Sequence, residues 1–144
     1  MDQTRSLGIS LHKVSAVLDR QSDQVLNEQF GIGFSQFKIM IGISKHDKFQ
    51  QREIAAVLGQ TEASVSRQVR VLVDQGLVAS TLDPENRRQH NTRLTPKGER
   101  VLGEAMAALE QHYRPLFAHF SQSRLEALQQ ILTEMQDYLC PNIK

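Results

Sequence analysis

Five histidines, one cysteine and scattered carboxylates are the residues that could carry catalytic or metal chemistry, and their spacing supports neither. His12, His46, His90, His112 and His119 include no pair set in an HExxH pattern or beside a carboxylate at ligand spacing. His112 and His119 could share a helix face, but Pro115 between them spoils the register. Cys140 stands alone, which excludes an intrachain disulfide, a cysteine knuckle for zinc and a CxxC redox pair, and leaves a single thiol beside Pro141. Gly31-Ile32-Gly33 is too short for a phosphate loop, and Ser64-Val65-Ser66 lacks the glycines of a nucleophile elbow. No catalytic residue, metal site or cofactor is therefore expected.

The arginines are more informative. Arg67 and Arg70 lie one helical turn apart, behind the small residues Ala63, Ser64 and Ser66, with Gln68 between them. Small residues let a helix backbone approach a major groove closely, and a guanidinium can bond guanine O6 and N7 together. The amides at the start of such a helix add a phosphate site. A second pair, Arg87 and Arg88, follows in the polar run Asp83-Pro84-Glu85-Asn86, where it could reach a minor groove.

Such side chains need elements to aim them. Leu7, Leu11, Val14, Leu18, Val25 and Phe30 recur at helical spacing, predicting a helix over 4–30 that Gly31 and Gly33 stop. Ser35 is placed to cap a more buried second helix, with Phe37, Met40, Ile41 and Ile43, stopping near His46. A third helix over 51–58 turns Ile54, Val57 and Leu58 inward and ends at Gly59. Thr61 caps a fourth that reaches Gln75, with Val65, Val69, Leu72 and Val73 on one arc and Ala63, Ser64, Arg67, Arg70 and Val71 on the other. Only Gly59 and Gln60 separate these helices from each other, so they cross steeply as in a helix-turn-helix. Extended runs at 77–82 and 91–94 flank the Arg87-Arg88 turn and predict a hairpin.

Thr95-Pro96 opens a fifth helix to about Phe120, which Pro115 should kink or break near Tyr113 and Arg114. Ser123 and Glu126 form a capping-box pattern for a last helix bearing Leu125, Leu128, Ile131, Leu132, Met135 and Leu139. The fold class is mainly α: a winged helix-turn-helix over 35–97 with helical segments at 4–30 and 98–140, all in one domain of 1–144. Terminal helices with this much apolar surface exceed what a lobe of about 60 residues can cover, so they must pack on each other or on another chain.

The net charge of +1 is small for a nucleic-acid binder, but residues 61–100 carry seven basic against five acidic side chains, and residues 101–144 three against five. No apolar run approaches the length of a membrane span, and the polar opening Asp2-Gln3-Thr4-Arg5 has no secretory apolar block, so a cytoplasmic protein with no membrane partner is expected.

In order along the chain, Arg52-Glu53-Ile54-Ala55, Leu58-Gly59, Ser64-Val65-Ser66-Arg67-Gln68-Val69, Leu72-Val73-Asp74-Gln75-Gly76-Leu77-Val78, Asp83-Pro84-Glu85-Asn86-Arg87-Arg88 and Leu94-Thr95-Pro96-Lys97-Gly98 resemble the MarR (multiple-antibiotic-resistance regulator) family of bacterial regulators. The resemblance implies a homodimer whose first and last two helices form the dimer region and whose two lobes read a pseudopalindromic operator in double-stranded DNA. It implies that the fourth helix is the recognition helix, that Arg87 enters the minor groove and that Arg88 braces the wing or touches phosphate. Ser64, Ser66, Arg67, Gln68, Arg70, Arg87 and Arg88 are then the DNA-binding residues.

Two positions depart from the family pattern: Asn86 stands where an acidic residue is common, and Ala79-Ser80-Thr81 lacks an arginine often found after Leu77-Val78. Many relatives are released from DNA by a small aromatic or phenolic molecule between the dimer region and the lobes, which implies a dimeric repressor with such a ligand. His12, Phe30, Phe37 and Tyr113 could line that crevice or serve as plain core. Two other readings stay open: a winged-helix module that binds protein and not DNA, and a regulator sensing oxidants through Cys140.

Overall fold

The computed structural model describes residues 2–45, 50–82, 85 and 90–141. Its elements run α1 (Gln3–Phe30), α2 (Phe34–Lys45), α3 (Gln51–Leu58), α4 (Glu62–Asp74), β1 (Val78–Leu82), β2 (His90–Leu94), α5 (Pro96–Phe117) and α6 (Gln122–Leu139). This is the winged helix-turn-helix order that the sequence predicts. The chain divides into two compact units, Met1–Leu109 and Glu110–Lys144.

In the first unit α2 is the hub. Phe37, Ile39, Met40 and Ile43 are buried, and the helix packs against α1, α3, α4 and β2. Each fully buried side chain of this size contributes about 1.5–3 kcal/mol of burial free energy. A Cβ at Gly42 would meet Ile54 Cδ1, the tip of a side chain on α3, so α2 and α3 pack closely at this point. α2 starts at Phe34, whose amide donates to Asp23 Oδ1 of α1 at 2.9 Å. Ser35 is therefore not the cap the sequence suggests: a carboxylate from α1 takes the free amide, and the Ser35 hydroxyl accepts from Gln60.

α1 buries only its C-terminal half, through Ser22 and Leu26, while Leu7, Leu11, Val14 and Val17 stay exposed on the single chain. The apolar stripe read from the sequence is present, and its N-terminal part is exposed.

α3 and α4 meet through a two-residue turn. Gly59 adopts φ 63°, a left-handed conformation that glycine alone enters without strain, and the Gln60 amide reaches back to the Ala55 carbonyl at 2.9 Å. Thr61 then caps α4, its hydroxyl accepting from the Ser64 amide at 3.1 Å. Val65, Val69 and Leu72 are buried. Val57, expected to face inward, is 46% exposed, because Ile54 and Ala55 already fill the buried side of a helix only eight residues long.

β1 and β2 pair antiparallel from Val78↔Leu94 to Leu82↔His90. Val78 and Thr92 are buried and the Ser80 and Thr92 hydroxyls lie 3.3 Å apart, whereas Thr81, Asn91 and Arg93 are exposed. The hairpin is tied to α4 and α5 at its base. Thr95 Oγ1 accepts from the Gly98 amide at 3.0 Å as the N-cap of α5 and donates to the Gly76 carbonyl at 2.6 Å, while Lys97 Nζ donates to the Gln75 carbonyl at 3.0 Å. A Cβ at Gly98 would collide with the Leu77 carbonyl oxygen. The Leu94-Thr95-Pro96-Lys97-Gly98 string is thus a clamp between helix end, strand and helix start.

In the second unit, α5 continues through Pro115 and ends at Phe117 without breaking near Tyr113 and Arg114. Pro115 sits in the last turn, where only one backbone bond is lost before the helix would end anyway. His119 Nδ1 donates to the Pro115 and Leu116 carbonyls, at 2.9 and 3.2 Å, and closes that end. α6 begins at Gln122, with Ser121 as its first flanking residue, so Ser123 lies inside the first turn and the predicted box does not form. Glu126 instead accepts from Gln122 Nε2 at 3.0 Å. No residue of α6 is buried, and Leu128, Ile131 and Leu139 are exposed.

Candidate nucleic-acid interface

The surface that could meet DNA is set by the roll of α4. With Val65, Val69 and Leu72 buried, Ala63, Arg67, Arg70, Val71 and Asp74 are left exposed on the opposite side. Among the described residues neither Arg67 nor Arg70 makes an ion pair. Both guanidiniums are therefore available on a face whose first turn presents only a methyl group, at Ala63. Ser66 is half-buried at one flank of this face.

The other flank is occupied. Gln68 Nε2 donates to Gln60 Oε1 at 2.6 Å and lies 3.2 Å from Ser64 Oγ and 3.3 Å from the Ser64 carbonyl. Ser64 Oγ donates to Gln60 Oε1 at 3.2 Å, and Gln60 Nε2 donates to Ser35 Oγ of α2 at 2.6 Å. Two of the expected DNA-binding residues, Ser64 and Gln68, thus have partners inside the protein. Gln60 was read from the sequence only as part of the turn. The signal that could have exposed it is the polar series Gln60, Ser64, Gln68 at intervals of four, running beside the arginine face.

Arg87, Arg88 and Asn86 lie outside the described residues. On the described part of the hairpin the exposed cation is Arg93, which the register sets opposite Ala79, the first of the three residues that replace the usual arginine-bearing segment. Below it, α2, β2 and α5 enclose an open cleft of about 570 Å³. Ile43, Leu94, Leu102 and Met106 form its apolar lining, with Arg93 and Glu99 among its polar residues.

Among the described residues no three His, Cys, Asp or Glu side chains are grouped to hold a metal, and no helix is long and apolar enough to cross a membrane. Cys140 is exposed at the end of α6.

With helix, turn, hairpin and clamp in place, comparison with known proteins gives a direct result: residues 30–89 match the MarR family model. Over those residues, α2 to the hairpin turn, the chain is similar to that family. The HTH-type transcriptional regulator PetP of Rhodobacter capsulatus is 26% identical over 115 residues, 80% of this chain and 69% of PetP. CouR from Rhodococcus jostii RHA1, solved bound to p-coumaroyl-CoA, superposes with a TM-score of 0.80 at 21% identity, covering 99% of each chain. MepR of S. aureus, solved as a DNA complex, superposes with a TM-score of 0.75 at 24% identity, covering 91% of this chain and 96% of MepR. These solved structures therefore share the fold over nearly the full chain.

Proposed function

We propose that this protein is a sequence-specific DNA-binding transcription regulator that acts as a homodimer and represses its target until a small molecule releases it. The observation that carries the reading is the outer face of α4, where Arg67 and Arg70 stand exposed and unpaired among the described residues on a helix whose opposite side is locked into the core. In a major groove, Arg67 and Arg70 take base edges or phosphates, Ser66 supports them from the flank, and Arg87 of the hairpin enters the neighbouring minor groove with Arg88 beside it. The MepR–DNA complex supports the same class of partner for this lobe.

A dimer follows from the arithmetic of recognition. One lobe makes few contacts, and two lobes related by a two-fold axis double them and require half-sites about one helical turn apart. The apolar residues left exposed on α1 and α6 support this assembly. CouR, solved with an acyl-CoA that carries a phenolic group, supports a small aromatic effector, and the cleft under β2 offers this chain an apolar surface with Arg93 at hand for a carboxylate. A ligand there that favours one lobe spacing over another would lower DNA affinity by population shift. A regulator of this kind works in the cytoplasm.

The test is selection of bound fragments from the source genome, followed by titration of the selected duplex with Arg67→Ala and Arg87→Ala. Each should lose about 1–3 kcal/mol of specific binding, and Arg67→Ala should also relax the preference at one base pair. Unchanged affinity in both variants would sink the assignment and favour a protein-binding module.

A further inference from the structure

The hydrogen bonds around Gln60 have a direction that one atom fixes. The Ser64 backbone carbonyl can only accept, so the Gln68 side-chain atom 3.3 Å from it must be the amide nitrogen. That nitrogen also meets a Gln60 side-chain atom at 2.6 Å, which must therefore be the Gln60 oxygen. The Gln60 nitrogen then faces Ser35, and the Ser35 hydroxyl accepts at 2.6 Å. Reversing either amide would set two acceptors or two donors against each other. The relay thus runs one way, from Gln68 through Gln60 to Ser35, and joins the recognition helix to α2, the most buried helix of the lobe. Val65, Val69 and Leu72 seat the inner side of α4 in the core, and the side-chain bridge at its flank adds a directional tie that holds the helix against small rotations about its axis.

We propose that Gln60 and Gln68 are positioning residues for DNA recognition: together they hold the roll of α4, set broadly by its buried apolar arc, at the angle that aims Arg67 and Arg70, and Gln68 does not read a base. This rests on the DNA-binding reading above and goes beyond it, because Gln68 belongs by its place in the sequence to the base-reading set. It separates specificity, carried by the arginines, from aim, carried by the relay.

The experiment uses the full-length protein, the selected operator duplex and the neutral variants Gln60→Leu, Gln68→Leu and their double, each profiled by affinity and by base preference at every operator position. Each single variant should weaken operator binding about fivefold to tenfold, the double should lose no more than either single, and the base-preference profile should keep its shape. Additive losses, or a relaxed preference at one base pair in Gln68→Leu, would overturn the proposal, the latter showing that Gln68 reads a base. So would unchanged affinity in both singles while Arg67→Ala binds poorly. If Arg67→Ala also binds normally, it is the DNA-binding reading itself that fails.

Direction is checked by thermal stability without DNA. Gln60→Glu keeps an acceptor toward Gln68 and Ser64, and Ser35 can turn its hydroxyl to donate, so Tm should hold. Gln68→Glu sets a carboxylate against the Ser64 carbonyl, a clash that no turn of Gln60 or Ser35 relieves, and should lower Tm by several degrees. Equal melting of the two would remove the directional relay, whatever the affinities show.

Discussion

Arg67 and Arg70 stand exposed on a helix whose opposite side is buried, with no ion-pair partner among the described residues. Contrast Arg114, which spends its charge on Glu110 at 2.9 Å one turn away in α5. If Arg67 makes a bidentate base contact, lysine cannot replace it, since an ammonium offers no planar fork. Arg67→Lys is expected to keep the salt dependence of wild-type binding and to lose discrimination at the same base pair as Arg67→Ala, measured by competition between operator variants. Full discrimination by Arg67→Lys would reduce the contact to a phosphate one. Gly98 makes the matching case for stability. The side chain it lacks would overlap the Leu77 carbonyl, and backbone cannot swing aside as a side chain can. Gly98→Ala should therefore cost about 1–3 kcal/mol, read from urea midpoints, although alanine is the better helix former by propensity.

At the scale of elements, what could be read from the sequence was whatever is decided locally. The bounds of α3 follow from Ile54, Leu58 and Gly59, those of α4 from Thr61 and its apolar arc, and the start of α5 from Thr95-Pro96, where the structure shows the cap itself. What escaped the sequence was decided between elements. The start of α2 is set by Asp23, eleven residues upstream on α1, and Ser35 and Ser123 have the right type for caps but other roles or places. Gln60 reads as a spacer until α2 and α4 are brought beside it. The arginine face of α4 was visible because helical periodicity alone defines it. The hydrogen bonds of Ser64 and Gln68 were not, because their partner Gln60 lies across the turn. A direct check on a local signal is Thr61→Ala, which removes the hydroxyl that holds the Ser64 amide. It should cost about 1 kcal/mol of stability, and Thr61→Ser should restore most of it in thermal melts.

Among the described residues, α1 and α6 each carry apolar side chains that stay exposed. Leu7 and Val14 are each 57% exposed on α1, Ile131 is 54% exposed on α6, and scattered single residues would need no explanation, but these recur along helical faces. A second copy is the economical cover, because a two-fold contact buries both faces at once and links two lobes into one DNA ligand. The wild-type protein should thus elute at about twice 16.3 kDa at micromolar concentration, and Leu11→Glu with Val14→Glu should move it toward 16.3 kDa. These residues lie far along α1 from Leu26, the part that packs into the lobe, so the lobe's circular dichroism should hold while operator affinity falls by orders of magnitude. The slope of log affinity against log salt should fall by about half as well, since a lone lobe neutralises half the phosphates. A wild-type monomer that binds its operator tightly would break the link between these faces and DNA recognition, and a charged variant that stays dimeric would move the interface away from α1.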